Sequence, residues 1–306
     1  MKNNLTSNEA EEAAKGWFMA HKWVLLRRIS QITILGLFLI TPWFGIYWSD
    51  VWSGDELDEN DAPIWIVKGN LASSLTLDVL PLTDPYVLLQ SWVAGHLLET
   101  SILTGAIIVL VFYLLVGGRV YCSWVCPINM VTDVAASWRE KLKITGGMQF
   151  SRATRYWILG ISLVVAYVTG TIAWELINPV SMVYRGIIFG MGLAWGMVIA
   201  IFLFDLFISK RAWCSHLCPV GAFYSLLGNL SMLRIRATNR DQCDDCLDCL
   251  RICPEPQVIK PALKGAQKNI GPVILSPNCT NCGQCIDVCT KDVFNFGSRF
   301  NNKVKS

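Results

Sequence analysis

Charge is scarce in this chain: Asp, Glu, Lys and Arg supply only 16% of its 306 residues, against 53% hydrophobic ones. That apolar excess is more than a soluble core of this length uses, so a bilayer is the expected second solvent. A long basic run is also missing, and the net charge is only +3, which removes the footprint of a nucleic-acid binder. Histidine is rarer still, with three in the chain, so a haem held by two histidines between membrane helices has no second ligand there. Finally, no cysteine stands alone. All 12 fall into tight groups: Cys122/Cys126, Cys214/Cys218, Cys243/Cys246/Cys249/Cys253 and Cys279/Cys282/Cys285/Cys289. A disulfide framework scatters its cysteines. Close gaps are how loop thiolates converge on a metal centre.

What is abundant is apolar sequence. Stretches at 29–48, 88–116, 157–177 and 184–208 meet the roughly 20 residues needed to cross a hydrocarbon core. The expected fold is therefore mainly α: a four-helix transmembrane bundle over 29–239, between a cytoplasmic N-terminal segment, 1–28, and a ferredoxin-type domain, 240–306. Arg27 and Arg28 open the first stretch, which reads as an uncleaved anchor. Trp43, Trp48, Trp92, Trp157 and Trp174 lie towards stretch ends, where interfacial aromatics sit. The loop 49–85 carries Asp50, Asp55, Glu56, Asp58, Glu59, Asp61, Asp78 and Asp84 with Lys68 as its sole basic residue, whereas 117–156 carries Arg119, Arg139, Lys141, Lys143, Arg152 and Arg155. The positive-inside rule then puts both termini, the middle loop and every cysteine at the cytoplasmic face of a bacterial inner membrane. The reducing compartment agrees with thiolate ligation.

The chain repeats itself. Tyr-Cys-Ser-Trp-Val-Cys-Pro-Ile at 121–128 matches Trp-Cys-Ser-His-Leu-Cys-Pro-Val at 213–220, each after a pair of apolar stretches. Two hairpins in one orientation predict a pseudo-twofold axis along the membrane normal, with the Cys-x3-Cys-Pro loops meeting near it. In both copies Pro is placed to open an interfacial helix, over 128–144 and 220–236. The four thiols Cys122, Cys126, Cys214 and Cys218 allow three readings: a third metal or cluster site, a reversible dithiol relay, or small buried residues at helix starts. His216, between two of them, reads as a bystander.

The C-terminal cysteines are more specific. Cys243-x2-Cys246-x2-Cys249-x3-Cys253-Pro254 is the bacterial ferredoxin run, and Cys279-x2-Cys282-x2-Cys285-x3-Cys289 repeats it with Thr290 in the proline position. Three close thiolates cap three corners of one cubane while the fourth completes the other. One 4Fe-4S cluster is thus assigned to Cys243, Cys246, Cys249 and Cys289, a second to Cys279, Cys282, Cys285 and Cys253. A zinc ribbon would need only two Cys-x2-Cys knuckles and leave four thiols idle. A segment this short builds little core, so the clusters are expected to nucleate a small α+β fold.

With these groups in place, the chain resembles NapH-type ferredoxin proteins over almost its whole length, including Trp-Ile-Val-Lys-Gly-Asn-Leu-Ala-Ser-Ser at 65–74. The resemblance implies the membrane component of a quinol dehydrogenase: quinol is oxidised with an iron-sulfur partner, NapG, and electrons reach periplasmic nitrate reductase through haem proteins. Relatives that mature nitrous oxide reductase or deliver copper add a large domain before or after the shared part, for which 306 residues leave no room. The alternative function is a maturation or redox-sensing factor that reduces a metal or thiols for another enzyme.

Quinol oxidation needs acceptors for the hydroxyl protons. His96 and Glu99, three residues apart in the second stretch, share a helix face, and Glu175 lies near the end of the third. These three are the expected quinol-contacting residues; the plainer reading is polar bonding between helices.

Overall fold

A computed structural model describes residues 15–52, 67–69, 73–76, 80–97, 99–144, 146–148, 150–190 and 192–300, and for 40–52, 67–69, 73, 75, 76, 80 and 193 the backbone alone. Trp43, Trp48 and most of the acidic loop 49–85 therefore lie outside the described side chains.

The chain divides into two compact units that interleave in sequence. One gathers the chain up to Ser30, Tyr113–Val125 and the chain from Gly221 on; the other holds Gln31–Phe112 and Cys126–Val220. These bounds differ from the contiguous division expected at 28 and 239.

The larger unit is helical. Helix α1 (Lys22–Trp52) enters it from the other unit. A three-stranded antiparallel sheet follows, β1 (Val67–Gly69), β2 (Ser73–Thr76) and β3 (Leu80–Thr83), with Val67 opposite Thr76 and Ser74 opposite Leu82. Next come α2 (Pro85–Val93), α3 (Thr100–Val116), α4 (Ile128–Lys141), α5 (Thr154–Thr169), α6 (Ala173–Ile177), α7 (Pro179–Phe189) and α8 (Gly192–Phe207). Helix α8 packs against both α4 and α7, and α2 packs against α5. The core between them holds Ile128, Val180, Val183 and Ile201.

The first expected span, 29–48, lies within the unbroken α1, whereas the other three are broken or shifted, and local chemistry bears on their bounds. Asp84 accepts a hydrogen bond from the Tyr86 amide at 3.0 Å with Pro85 at the first helical position, and Asn178 caps Val180 at 3.1 Å ahead of Pro179. Such caps start α2 and α7 a few residues ahead of the second and fourth expected stretches. Gly170 and Gly190, both at φ 63, end α5 and α7 in the left-handed conformation that a residue without Cβ adopts freely. Among the described residues no helix is long and apolar enough to cross a membrane.

The smaller unit is α+β. Helix α9 (Pro219–Gly228) leads into β4 (Leu233–Ala237), which pairs antiparallel with β5 (Phe294–Ser298), Ile235 opposite Phe296. The helix expected over 220–236 is thus corrected to a shorter helix followed by a strand. Between β4 and β5 lie α10 (Asp248–Ile252), α11 (Ile259–Lys264) and α12 (Gln284–Asp287). Their core is built from Ile235, Val258, Ile259, Ile274, Val293 and Phe294, with cysteines packed into it.

Candidate iron-sulfur site

The two ferredoxin runs have one backbone design. In the first, Asp245 and Leu247 are left-handed (φ 61 and 64); in the second, the equivalent Asn281 and Gly283 are (φ 48 and 77). Asp and Asn tolerate that region because their short side chains bond locally. Here Asp245 Oδ1 accepts from Cys243 Sγ and Asn281 Oδ1 from Cys279 Sγ, each at 3.5 Å. The two reversals curl each loop, after which α10 or α12 carries the third cysteine inward: Cys249 and Cys285 are both buried.

The fourth cysteine of each run crosses over. Cys253, from the first run, lines one cavity with Cys279, Cys282 and Cys285, alongside Glu255 and Ile274. Cys289, from the second, is close enough to Cys243 and Cys249 to act on both thiols electrostatically, and Cys246 acts on Cys249. Desolvation pushes the Cys249 thiol up to about 12 and Cys279 to about 11, and drives Cys285 well above its usual value. Thiols that resist ionisation in apolar surroundings become good ligands only when a metal takes the place of the proton. Among the described residues no three His, Cys, Asp or Glu side chains are gathered around a single-ion position. Cubane ligands stand further apart because each binds a different iron. The donor set and its crossed placement fit two 4Fe-4S clusters.

The second run is held by parts of the chain far away in sequence. The first Cys-x3-Cys segment forms a π-helical turn, Tyr121–Val125, a form common at functional positions. Within it Ser123 Oγ donates to the Thr280 carbonyl at 2.7 Å and Trp124 Nε1 to the Asn281 carbonyl at 3.1 Å. Arg119, just ahead, donates to Glu255 Oε1 at 3.0 Å and to the Asn278 carbonyl at 2.9 Å; both members of this ion pair are 2% exposed. From the other side, the Trp23 and Val24 amides at the start of α1 donate to Asp287. That carboxylate caps the helix from more than 260 residues away. The Trp23 ring meets Phe296 edge-on with centroids 4.6 Å apart, and lies so close to Gly283 that an added Cβ would come within 2.6 Å of it. The bracing roles of these residues went unread in the sequence, where Arg119 counted only as a basic residue of 117–156 and Ser123 and Trp124 only as part of the repeated motif, while Trp23 carried no signal.

The second Cys-x3-Cys segment is again a π-helical turn, Trp213–Leu217, in the larger unit. Asp205 accepts from the Trp213 amide at 3.0 Å, Arg155 reaches the Ser215 carbonyl at 3.4 Å, and Thr132 Oγ1 lies 3.9 Å from Cys214 Sγ. Cys122, Cys126, Cys214 and Cys218 are all half-buried. The His216 ring lies 6.3 Å from that of Phe150.

The expected quinol residues fare differently. His96 and Glu99 fall in the break between α2 and α3, exposed and outside either helix, so the shared helix face is corrected. Glu175 is on α6, where it accepts from Asn178 Nδ2 at 3.1 Å and faces Arg185 at 4.0 Å.

Comparison with known proteins fits this geometry. A 4Fe-4S binding domain family matches twice, over 98–145 and 187–237, each match containing one Cys-x3-Cys-Pro turn. A 4Fe-4S dicluster domain family matches 242–293. The methylamine utilization ferredoxin-type protein MauN of Paracoccus denitrificans is 52% identical over 96% of this chain and 97% of its own length. The ferredoxin-type protein NapH of Escherichia coli is 41% identical over 95% of both, and that of Haemophilus influenzae 42% identical over 94% and 93%. No solved structure matches. The chain belongs to the NapH and MauN family of iron-sulfur, ferredoxin-type electron-transfer proteins.

Proposed function

We propose that this protein is the membrane iron-sulfur subunit of a quinol dehydrogenase, holding one cluster on Cys243, Cys246, Cys249 and Cys289 and another on Cys279, Cys282, Cys285 and Cys253. The observation that carries the reading is the crossover of Cys253 into the cavity of the second run. When bound, such clusters supply one-electron transfer. The chain's own residues place the thiols, keep water from the inner ligands and brace the second loop through Ser123, Trp124 and Arg119.

Membrane attachment is supported by outward-facing apolar side chains: Ile107, Val111 and Leu115 on α3, Ile161, Val165 and Val168 on α5. At 1.5 Å per residue the 17 residues of α3 reach about 25 Å, short of a hydrocarbon core of roughly 30 Å, a mismatch that local thinning accommodates. Both termini and the cysteines then face the cytoplasm. The proton acceptors are drawn from His96, Glu99 and Glu175, and the Cys-x3-Cys turns offer a further redox or metal position.

The electron destination has two readings. NapH-named relatives point to periplasmic nitrate reductase with a NapG-type partner; the higher identity to a methylamine utilization protein favours service to methylamine oxidation. Anaerobic purification with iron and sulfide counting, low-temperature EPR and quinol addition tests the core of the proposal. About eight irons and quinol-dependent reduction are expected; zinc in place of iron, or clusters inert to quinol, would defeat it. Deletion followed by growth on nitrate or on methylamine separates the two destinations.

A further inference from the structure

The second run has a buried cation for a neighbour. Arg234, on β4, is 1% exposed. It donates to the Ser276 carbonyl at 3.0 Å and to the Gly228 carbonyl, while its Nε is buried without a hydrogen-bond partner. Both acceptors are neutral, and among the described residues no carboxylate pairs with this guanidinium. Two charged groups act on it: the Cys279 thiolate, which favours its ionised form, and Arg299, which opposes it. Burial pulls its pKa down further. A cation held out of water without a carboxylate is costly, so the anion at Cys279 is the interaction that accounts for it.

The backbone fixes this placement. The Ser276 carbonyl that takes Arg234 Nη1 also accepts from the Cys279 amide at 3.2 Å. Asn281, two residues past Cys279, donates to the Leu233 carbonyl, one residue before Arg234, at 2.9 Å. Guanidinium and thiol are thus tied to one turn. Arg119 acts on Cys279 as well, but it touches Glu255, so that pair is close to neutral seen from the thiol. The first run differs. The cation acting on Cys243 is Lys264, exposed and paired with Asp245, while Asp244 opposes the ionised thiols of Cys243 and Cys246.

A 4Fe-4S cluster gains negative charge when it is reduced, and burial opposes that gain. We propose that Arg234 is the counter-charge of the second cluster: its buried guanidinium stabilises the reduced state and raises the potential of the cluster on Cys279, Cys282, Cys285 and Cys253. The inference rests on the two-cluster reading above. Arg234 touches neither electron donor nor acceptor and acts through the cluster, so it is a positioning residue for charge. The step it favours is the arrival of one electron, with no bond made or broken.

The test uses the full-length protein, purified anaerobically and poised with dithionite and mediators, its two reduction steps followed by low-temperature EPR. Arg234→Gln is neutral yet still able to donate to a carbonyl. It should move one step to lower potential by about tenfold in the reduction equilibrium, about 59 mV for a one-electron couple. That is the scale of a unit charge about 10 Å away at an effective dielectric of about 20. The other step should stay within about threefold of wild type, and the step that moves should be the one retained in Cys246→Ser. Arg234→Lys keeps the charge but loses the planar fork, and should stay within about threefold on both steps. A mere brace would show the reverse, with lysine disturbing the cluster as much as glutamine. If Arg234→Gln does not hold the second cluster, Arg234→Lys decides: about eight irons at the wild-type potential upholds the counter-charge, and loss from both variants overturns it. Equal shifts in the two variants, no shift in Arg234→Gln, or movement of the first cluster's step would also overturn it. Zinc in place of iron in the wild-type protein would instead mark failure of the two-cluster reading.

Discussion

The runs 243–253 and 279–289 share spacing, left-handed positions and a helical turn carrying the third cysteine, yet they live in different surroundings. Around the first, Cys246 is exposed and Asp241, Asp244, Asp245 and Leu247 face solvent. Around the second, Cys282 and Cys285 are buried, and the loop is walled by the π-helical turn at Tyr121–Val125 and by Trp23. Spacing decides how thiols converge. Which run is sealed is decided by side chains contributed from distant parts of the chain, Trp23 and the turn Tyr121–Val125, so one motif serves as an inward-facing and an outward-facing position.

The largest break in this comparison is expected at the inner run. Cys285→Ser removes a buried ligand of the second cluster and should lower the iron count from about eight to about four, or prevent accumulation of the protein, because cluster binding and folding are one process here. Cys246→Ser, at an exposed position, should remove the first cluster while leaving the other's EPR signal in place. Equal loss of both signals from either variant would show that the runs are not separable.

Next in size is the ion pair behind the inner run. Arg119→Met leaves Glu255 buried without its cation and should cost about 3–5 kcal/mol in urea unfolding of the cluster-loaded protein. Arg119→Met/Glu255→Leu should regain most of that loss, since two apolar groups of similar size carry no desolvation penalty. If the double variant is as unstable as the single, the hydrogen bond to the Asn278 carbonyl carries the effect, and the pair itself does not.

Much of the inner architecture was legible in the sequence. The eight ferredoxin cysteines and their crossed pairing were read from spacing, and Cys253 lines one cavity with Cys279, Cys282 and Cys285. The repeat of Cys-x3-Cys-Pro was also legible, and both copies adopt the same π-helical turn. The breaks in the later apolar spans were not, because hydropathy sums over Gly170 and Gly190 while helix formation stops at each. The strand β4 was hidden too: Leu233–Ala237 reads as the tail of a helix until β5, some 60 residues on, supplies its ladder partners. The wall around the inner run was the least legible, since Arg119 with Glu255 and Trp23 with Gly283 meet across distances that no local pattern records.

Smaller effects should separate the two runs at equivalent positions. Asp287→Ala removes the carboxylate that caps the start of α1 and should cost about 1–2 kcal/mol, as loss of a good N-cap does; its counterpart in the first run, Arg251, is an exposed residue whose change to Ala should be nearly silent. The finest contrast is at the fifth position of each loop. Leu247→Gly relaxes a left-handed non-glycine residue that faces solvent and should stabilise by roughly 1 kcal/mol or be neutral. Gly283→Ala adds a Cβ against the Trp23 ring at a left-handed position and should destabilise by about 1–3 kcal/mol. Opposite signs at matched positions, read as shifts in thermal midpoint with iron content held constant, would establish that surroundings distinguish the runs. Like signs would mean that the loops respond as isolated repeats, and that Trp23 does not seal the inner one.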